Sequence, residues 1–182
     1  MFSVGVFCGS RFGARPAYLA AARAFGHALA ARRVALVYGG GCVGLMGALA
    51  DAVLAADGVV IGVIPEFLRG PELEHPGLSE TVVVDDLFAR KAVMIERADA
   101  FVALAGGIGT FDELLEVIAW RQLGRIHKPI ALLNTAGYFD PFLALLRRAI
   151  DEGFVDHHEL ARLIVDDEPA RLLAALGEAS GT

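Results

Sequence analysis

Two cysteines, Cys8 and Cys42, are all that 182 residues carry. A pair in a chain of this length is no disulfide framework, and no CxxC or His/Cys cluster with metal-ligand spacing occurs, so no metal is expected. Lysine and arginine form no run, and acidic residues outnumber basic ones by 22 to 16 for a formal net charge of −6. That balance disfavours a nucleic-acid or anionic-membrane partner. No apolar stretch reaches the ~18 residues that span a bilayer. Met1 to Val6 lacks a basic region leading into a sustained apolar one, so it does not read as a signal peptide. A cytoplasmic protein is expected. What the chain has in abundance is apolar residues, 55% of the total, enough for one well-cored domain over residues 1–182.

Short apolar runs alternate with longer helical patterns. Strands are expected at Ser3–Cys8, Val34–Tyr38, Val59–Ile64, Thr81–Val84, Ala100–Leu104, Pro129–Leu133 and Leu163–Val165. Helices are expected at Pro16–Ala31, Leu45–Ala56, Leu87–Glu96, Thr110–Leu123, Tyr138–Glu152 and Glu168–Leu176. The runs Val34–Val37 and Val59–Ile64 are apolar without alternation, which marks strands buried on both faces. The fold class is therefore α/β, a doubly wound, Rossmann-like parallel sheet with helices on both faces. Ligands of such sheets bind at the carboxyl ends of the strands. Three glycine-bearing segments fall there: Gly9-Ser10, the stretch from Gly39 through Gly40 and Gly41 to Gly47, and Gly106 to Thr110. Pro65 to Ser79 is the longest irregular stretch and reads as a binding loop.

Gly39-Gly40-Gly41-Cys42-Val43-Gly44 fits GxGxxG between a strand and a helix, with Glu66 roughly where a ribose-binding acid belongs. A dinucleotide site competes there with plain tight packing, and packing is the favoured reading. Gly106-Gly107-Ile108-Gly109-Thr110 is more informative. A glycine turn at a helix start aims backbone N–H groups and the positive end of the helix dipole at one spot, which suits a phosphate. Glu113 lies within one turn of it. Thr110-Phe111-Asp112-Glu113 also fits a capping box, with Thr110 as N-cap and Glu113 at N3, so Glu113 has a structural reading beside the chemical one. Arg90-Lys91 near a helix start is unfavourable for the dipole, and a solvated pair competes with an anion partner. His27, His75, His127, His157 and His158 read as surface or structural, and Trp120 as core.

Together, Val37-Tyr38-Gly39-Gly40-Gly41 with Gly44-Leu45-Met46-Gly47, Gly62-Val63-Ile64-Pro65, Arg90-Lys91 with Met94, and Gly106 to Thr110 through Glu113-Leu114-Leu115-Glu116-Val117 and Trp120 resemble the LOG (Lonely guy) family. The similarity runs from about Val4 to Val155. Members are cytokinin riboside 5′-monophosphate phosphoribohydrolases, often labelled lysine decarboxylases, although no lysine here has a recognisable pyridoxal-phosphate setting. The resemblance implies hydrolysis of the N-glycosidic bond of AMP or an N6-prenyl AMP, without metal or organic cofactor, by a homodimer whose site is completed across the interface. It implies Arg90 and Glu113 as catalytic residues. It places Glu72, Lys91 and the run Gly106, Gly107, Ile108, Gly109, Thr110, Phe111 and Asp112 in contact with the nucleotide, beside Ser10, Gly40 and Gly41 at the strand ends. Molybdenum-cofactor carrier proteins look similar, so a non-catalytic nucleotide or cofactor carrier is the second expectation, and a dinucleotide oxidoreductase the third.

Three positions depart from the family pattern. Ala105 replaces a usual proline and loosens the turn, because proline fixes φ. Asp112 replaces a glutamate and keeps the charge with a shorter reach. Phe88 replaces a histidine and removes a polar group near the arginine. These bear on the preferred base and the rate more than on the reaction class. In the implied reaction positive charge develops on the sugar, and a carboxylate beside C1′ stabilises it and deprotonates water. The helix N-terminus is expected to keep Glu113 ionised.

Overall fold

The computed structural model describes Met1 to Ala179, and the last three residues of the domain expected over 1–182 lie outside the described residues. Seven parallel strands form one sheet: β1 (Ser3–Phe7), β2 (Ala35–Tyr38), β3 (Val60–Pro65), β4 (Glu80–Val84), β5 (Ala100–Ala103), β6 (Ile130–Leu133) and β7 (Leu163–Asp166). Their order is β4-β3-β2-β1-β5-β6-β7. The chain winds outward in one direction from β1 to β4, returns to the centre at β5, and continues the other way. The reversal lies between β1 and β5, which pair Val4 with Ala100 through Phe7 with Ala103. A crevice opens where strand order reverses, because the connections from the two neighbours leave on opposite faces.

The helices are α1 (Pro16–Ala31), α2 (Gly44–Leu54), α3 (Leu87–Arg97), α4 (Ile108–Gln122), α5 (Asp140–Asp151), α6 (His157–Ala161) and α7 (Pro169–Ala179). One core joins α1, α2 and α7 to one sheet face through Phe25, Leu29, Leu49, Val53, Leu172 and Leu176. The other joins α3, α4 and α5 to the opposite face through Met94, Leu114, Val117 and Leu143. Every residue of β1, β2, β5 and β6 is buried, as the unalternating apolar runs require. Edge strand β4 is mostly exposed, with only Val82 and Val84 partly buried.

Most expected elements fall within a few residues of their observed bounds. The short helix α6 has no counterpart in the sequence reading, since five residues are too few for a periodic signal. The loop from Pro65 to Ser79 is less free than expected. It contains a 3₁₀ turn, Glu66–Leu68, and its far half is tied to the Gly40–Cys42 turn. There the Cys42 N–H donates to the Leu73 carbonyl at 2.8 Å and the His75 N–H to the Gly40 carbonyl at 3.0 Å. His75 is buried with Nε2 3.1 Å from Asp51 Oδ1, so it is structural.

Candidate active site

The loops after β1, β2 and β5 converge at the topological reversal on a cleft of about 390 Å³. Its walls include Cys8, Gly9 and Ser10 after β1, Gly39 and Gly41 after β2, Arg90 from α3, and Gly107 to Thr110 with Glu113 from α4. Met46, Ile64, Leu68 and Leu73 give it an apolar side. The volume lies in the range of small-molecule sites, about 300–1,000 Å³.

The start of α4 is not the expected capping box. Gly107 is the N-cap, in extended backbone and with no side-chain cap, and Thr110 is a buried residue inside the helix. Glycine carries the turn instead of threonine because the space is already filled: a Cβ on Gly106 would lie 2.1 Å from Thr110 Oγ1. Thr110 therefore packs under the turn. Among the described residues no acceptor bonds the N–H groups of Ile108, Gly109 or Thr110, and the first bond back is Phe111 N–H to the Gly107 carbonyl. A Cβ on Gly107 or Gly109 would meet nothing within 4 Å, so the turn faces open space. Free donors and a dipole end beside an open cleft suit an anion.

The other glycine turn is closed. The Gly9 carbonyl accepts from Leu45 N–H at 3.0 Å and Met46 N–H at 3.3 Å, so two of the first donors of α2 are taken by the protein itself. Glu66, the expected ribose partner, is exposed and pairs with Arg69 at 3.5 Å. The dinucleotide reading of Gly39–Gly44 therefore gives way to tight packing. Gly39 also makes room for the arginine. A Cβ there would sit 1.6 Å from Arg90 Nη2, so the guanidinium lies directly on this glycine.

Arg90 and Glu113 face each other with Nη2 3.9 Å from Oε1, and their side chains are only 15% and 13% exposed. The solvated pair that competed for Arg90-Lys91 is not what forms. Arg90 Nε is buried without a hydrogen-bond partner. The expectation that the dipole keeps Glu113 ionised is overturned. Burial pushes its carboxyl up to about 7, with Arg90 opposing. The position explains this: six residues past the N-cap, Glu113 is beyond the reach of the helix end, which fades within one turn. Burial and the charge of Glu113 push the Cys8 thiol up as well. Cys8 is a wall residue that the sequence reading did not single out; its place at the end of β1 was the available signal.

The other predicted positions are dispersed around this centre. Gly40 adopts φ +73° and lies behind the cleft wall that Gly39 and Gly41 form. Gly106 accepts from the Tyr138 hydroxyl and borders an adjoining hollow with Arg11, Tyr18 and Tyr138. Phe111 stacks on Tyr138. Glu72 is exposed and outside the cleft wall, where its neighbour Leu73 stands. Lys91 and Asp112 pair at 3.1 Å beside the cleft. Trp120, expected in the core, is 37% exposed on α4. Asp156, His157 and His158 bring ligand atoms within 4.8 Å of one another on the surface, a grouping the reading of the histidines did not anticipate.

The fold and the cleft together define a doubly wound α/β domain whose open turn at the start of α4 suits an anion. A family model described as "Possible lysine decarboxylase" matches residues 46–176. A cytokinin riboside 5′-monophosphate phosphoribohydrolase of Arabidopsis thaliana is 48% identical over 90% of this chain and 75% of its own length. One from Rhodococcoides fascians is 46% identical over 96% and 88%. The chain belongs to this LOG family. A molybdenum cofactor carrier protein from Chlamydomonas reinhardtii shares the fold at TM-score 0.75 and 22% identity, covering 100% of this chain and 99% of that one. A molybdenum cofactor binding protein from Rippkaea orientalis does so at 0.73 and 21%, covering 100% and 98%. The family model's label finds no support in the lysines. Lys91 is held by two carboxylates, and Lys128 donates to the Ile95 carbonyl at 2.7 Å.

Proposed function

We propose that the protein hydrolyses the N-glycosidic bond of adenosine 5′-monophosphate or an N6-prenylated form of it, releasing the free base and ribose 5-phosphate, the cytokinin-activating reaction. The observation that carries this reading is Glu113, buried opposite Arg90 in a cleft that begins at the unpartnered N–H groups of α4. The names of the relatives support the same reaction. The 5′-phosphate docks on the turn from Gly107 to Thr110, with Ser10 on the facing loop. Tethering fixes C1′ against the carboxylate, which removes much of the entropic barrier.

As the C1′–N bond lengthens, its electron pair leaves with the base and the sugar gains positive charge. Ionised Glu113 stabilises that charge and takes a proton from water, whose oxygen bonds to C1′. The proton removed balances the one the departing base gains. Arg90 holds the ionised carboxylate and the ribose in register. No step needs a metal or an organic cofactor.

A homodimer fits the exposed apolar side chains of α3 and α4: Leu87, Phe88, Leu115 and Trp120. No helix among the described residues is long and apolar enough to cross a membrane. The deciding experiment is incubation with AMP followed by chromatography. Free adenine and ribose 5-phosphate in equal amounts support the hydrolase. AMP bound but recovered intact overturns it in favour of a carrier.

A further inference from the structure

Arg90 and Lys91 are consecutive on α3, and consecutive helical residues point in different directions. Arg90 turns into the cleft. Lys91 turns to α4, where Nζ lies 3.1 Å from Asp112 Oδ2 and 2.9 Å from Glu116 Oε2. Its side chain is 14% exposed and does not line the cleft. The Phe88 ring covers the ammonium from another side, 5.6 Å from centroid to Nζ. Asp112 and Glu116 are spaced i,i+4, so their like charges sit one above the other and repel unless a cation stands between them. Glu113 lies between them in sequence. A nucleotide contact by Lys91 would have to break both ion pairs and leave those carboxylates uncompensated.

We infer that Lys91 is a positioning residue, clamping α3 to the first turns of α4 through Asp112 and Glu116 so that Glu113 stays opposite Arg90. This rests on the hydrolase reading of the same cleft, and it replaces the nucleotide contact that family resemblance implies for Lys91. The charged or titratable groups that act on Glu113 are Arg90 and Lys91 from α3, Asp112 and Glu116 from its own helix, and Cys8 just after β1. Of these, Lys91 offsets the two neighbouring carboxylates. Without it both favour the protonated form of Glu113, and a smaller share of the base is ionised at neutral pH.

The test compares the wild type with Lys91→Met, which keeps the apolar stem, and Lys91→Arg, which keeps the charge. Turnover of AMP is followed between about pH 5 and 9, where the base titrates. In Lys91→Met, kcat at neutral pH falls about tenfold or more while KM stays within about twofold, the pattern of a lost contribution to the chemical step alone. The acid limb of the profile moves to higher pH, and Lys91→Arg restores both. Asp112→Asn, which retains the lysine but removes one clamp partner, reports on the clamp if Lys91→Met does not fold: kcat falls with KM within about twofold, and an unchanged kcat overturns the inference. A KM raised about tenfold with kcat and limb unmoved would restore the nucleotide contact and overturn the inference. So would wild-type behaviour in Lys91→Met. Carbon-13 titration of the Glu113 carboxyl separates the two readings: if the wild type releases no adenine the reaction is wrong, yet an upward move of that titration in Lys91→Met still supports the clamp and an unmoved one refutes it.

Discussion

The turn before α2 and the turn before α4 use the same glycine-rich vocabulary, and both connect a buried strand to a helix. They differ in one hydrogen-bonding fact. Before α2, the Gly9 carbonyl occupies the N–H groups of Leu45 and Met46. Before α4, the N–H groups of Ile108, Gly109 and Thr110 have no protein acceptor among the described residues. Glycine is needed in the first turn because backbones collide: Gly44 has φ +61°, and a Cβ there would lie 2.2 Å from the Ser10 carbonyl carbon. In the second turn Gly107 has ordinary φ −105° and empty space around it. One turn is closed by packing and the other is open to a ligand. A sequence motif does not tell these apart, because the discriminating partner comes from a third loop, after β1.

The largest effect should come from the carboxylate behind the open turn. Glu113→Gln is expected to lower kcat for AMP by about 10²–10⁴-fold, the usual contribution of a positioned base, while AMP binding is retained. Steady-state kinetics and calorimetric titration check the two halves. Wild-type turnover in this variant would leave the open turn without chemistry. In the wild type, kcat/KM should rise with pH through about 7, where burial has placed the carboxyl, because the ionised form is the active one. A limb near the ordinary carboxylate range instead would mean that Glu113 is solvated when the enzyme works.

Much of this is legible in the chain itself. Parallel strands follow from apolar runs such as Val34–Val37, and the site follows from glycines and charges at strand ends. The differences between expectation and structure share a cause, namely tertiary partners that no local pattern contains. Thr110-Phe111-Asp112-Glu113 has the letters of a capping box, yet Gly107 begins the helix and Thr110 packs beneath Gly106. The dipole argument for Glu113 fails because α4 starts three residues earlier than its capping letters suggest, and burial then outweighs a helix end two turns away. Trp120 reads as core by residue type, but α4 leaves it partly exposed. Lys91 pairs with two carboxylates on α4, and no local pattern reveals those distances.

Replacing the closed turn's glycine should be felt in folding. Gly44→Ala is expected to lose about 2–4 kcal/mol of stability, combining a left-handed backbone penalty with overpacking against Ser10 and Arg11. Urea denaturation measures it, and a loss below about 1 kcal/mol would show that the loops part easily. Glu113→Gln should do the opposite at alkaline pH. A carboxyl raised from 4.5 to about 7 binds its proton more tightly folded than unfolded, so stability falls as pH rises between those values. Above the folded value the ionised side chain costs up to about 3 kcal/mol. The neutral variant should therefore be more stable than the wild type at about pH 8 by up to that amount, with the difference vanishing at about pH 4. Equal melting temperatures at both pH values would refute the buried carboxylate as a stored cost.

Gly107→Ala has the smallest effect on folding and the sharpest bearing on the comparison. Its backbone suits alanine and no atom lies within 4 Å of the added methyl, so unfolding free energy should stay within about 0.5 kcal/mol of the wild type. If the space beside this turn is kept for a phosphate approaching the N–H groups of Ile108 to Thr110, the methyl should raise the Kd for AMP about tenfold, close to 1.4 kcal/mol. Adenosine, which has no phosphate to dock, should bind the variant and the wild type alike. Equal loss for both ligands would place the methyl against the ribose or base, and no loss for either would make the open turn as structural as the closed one.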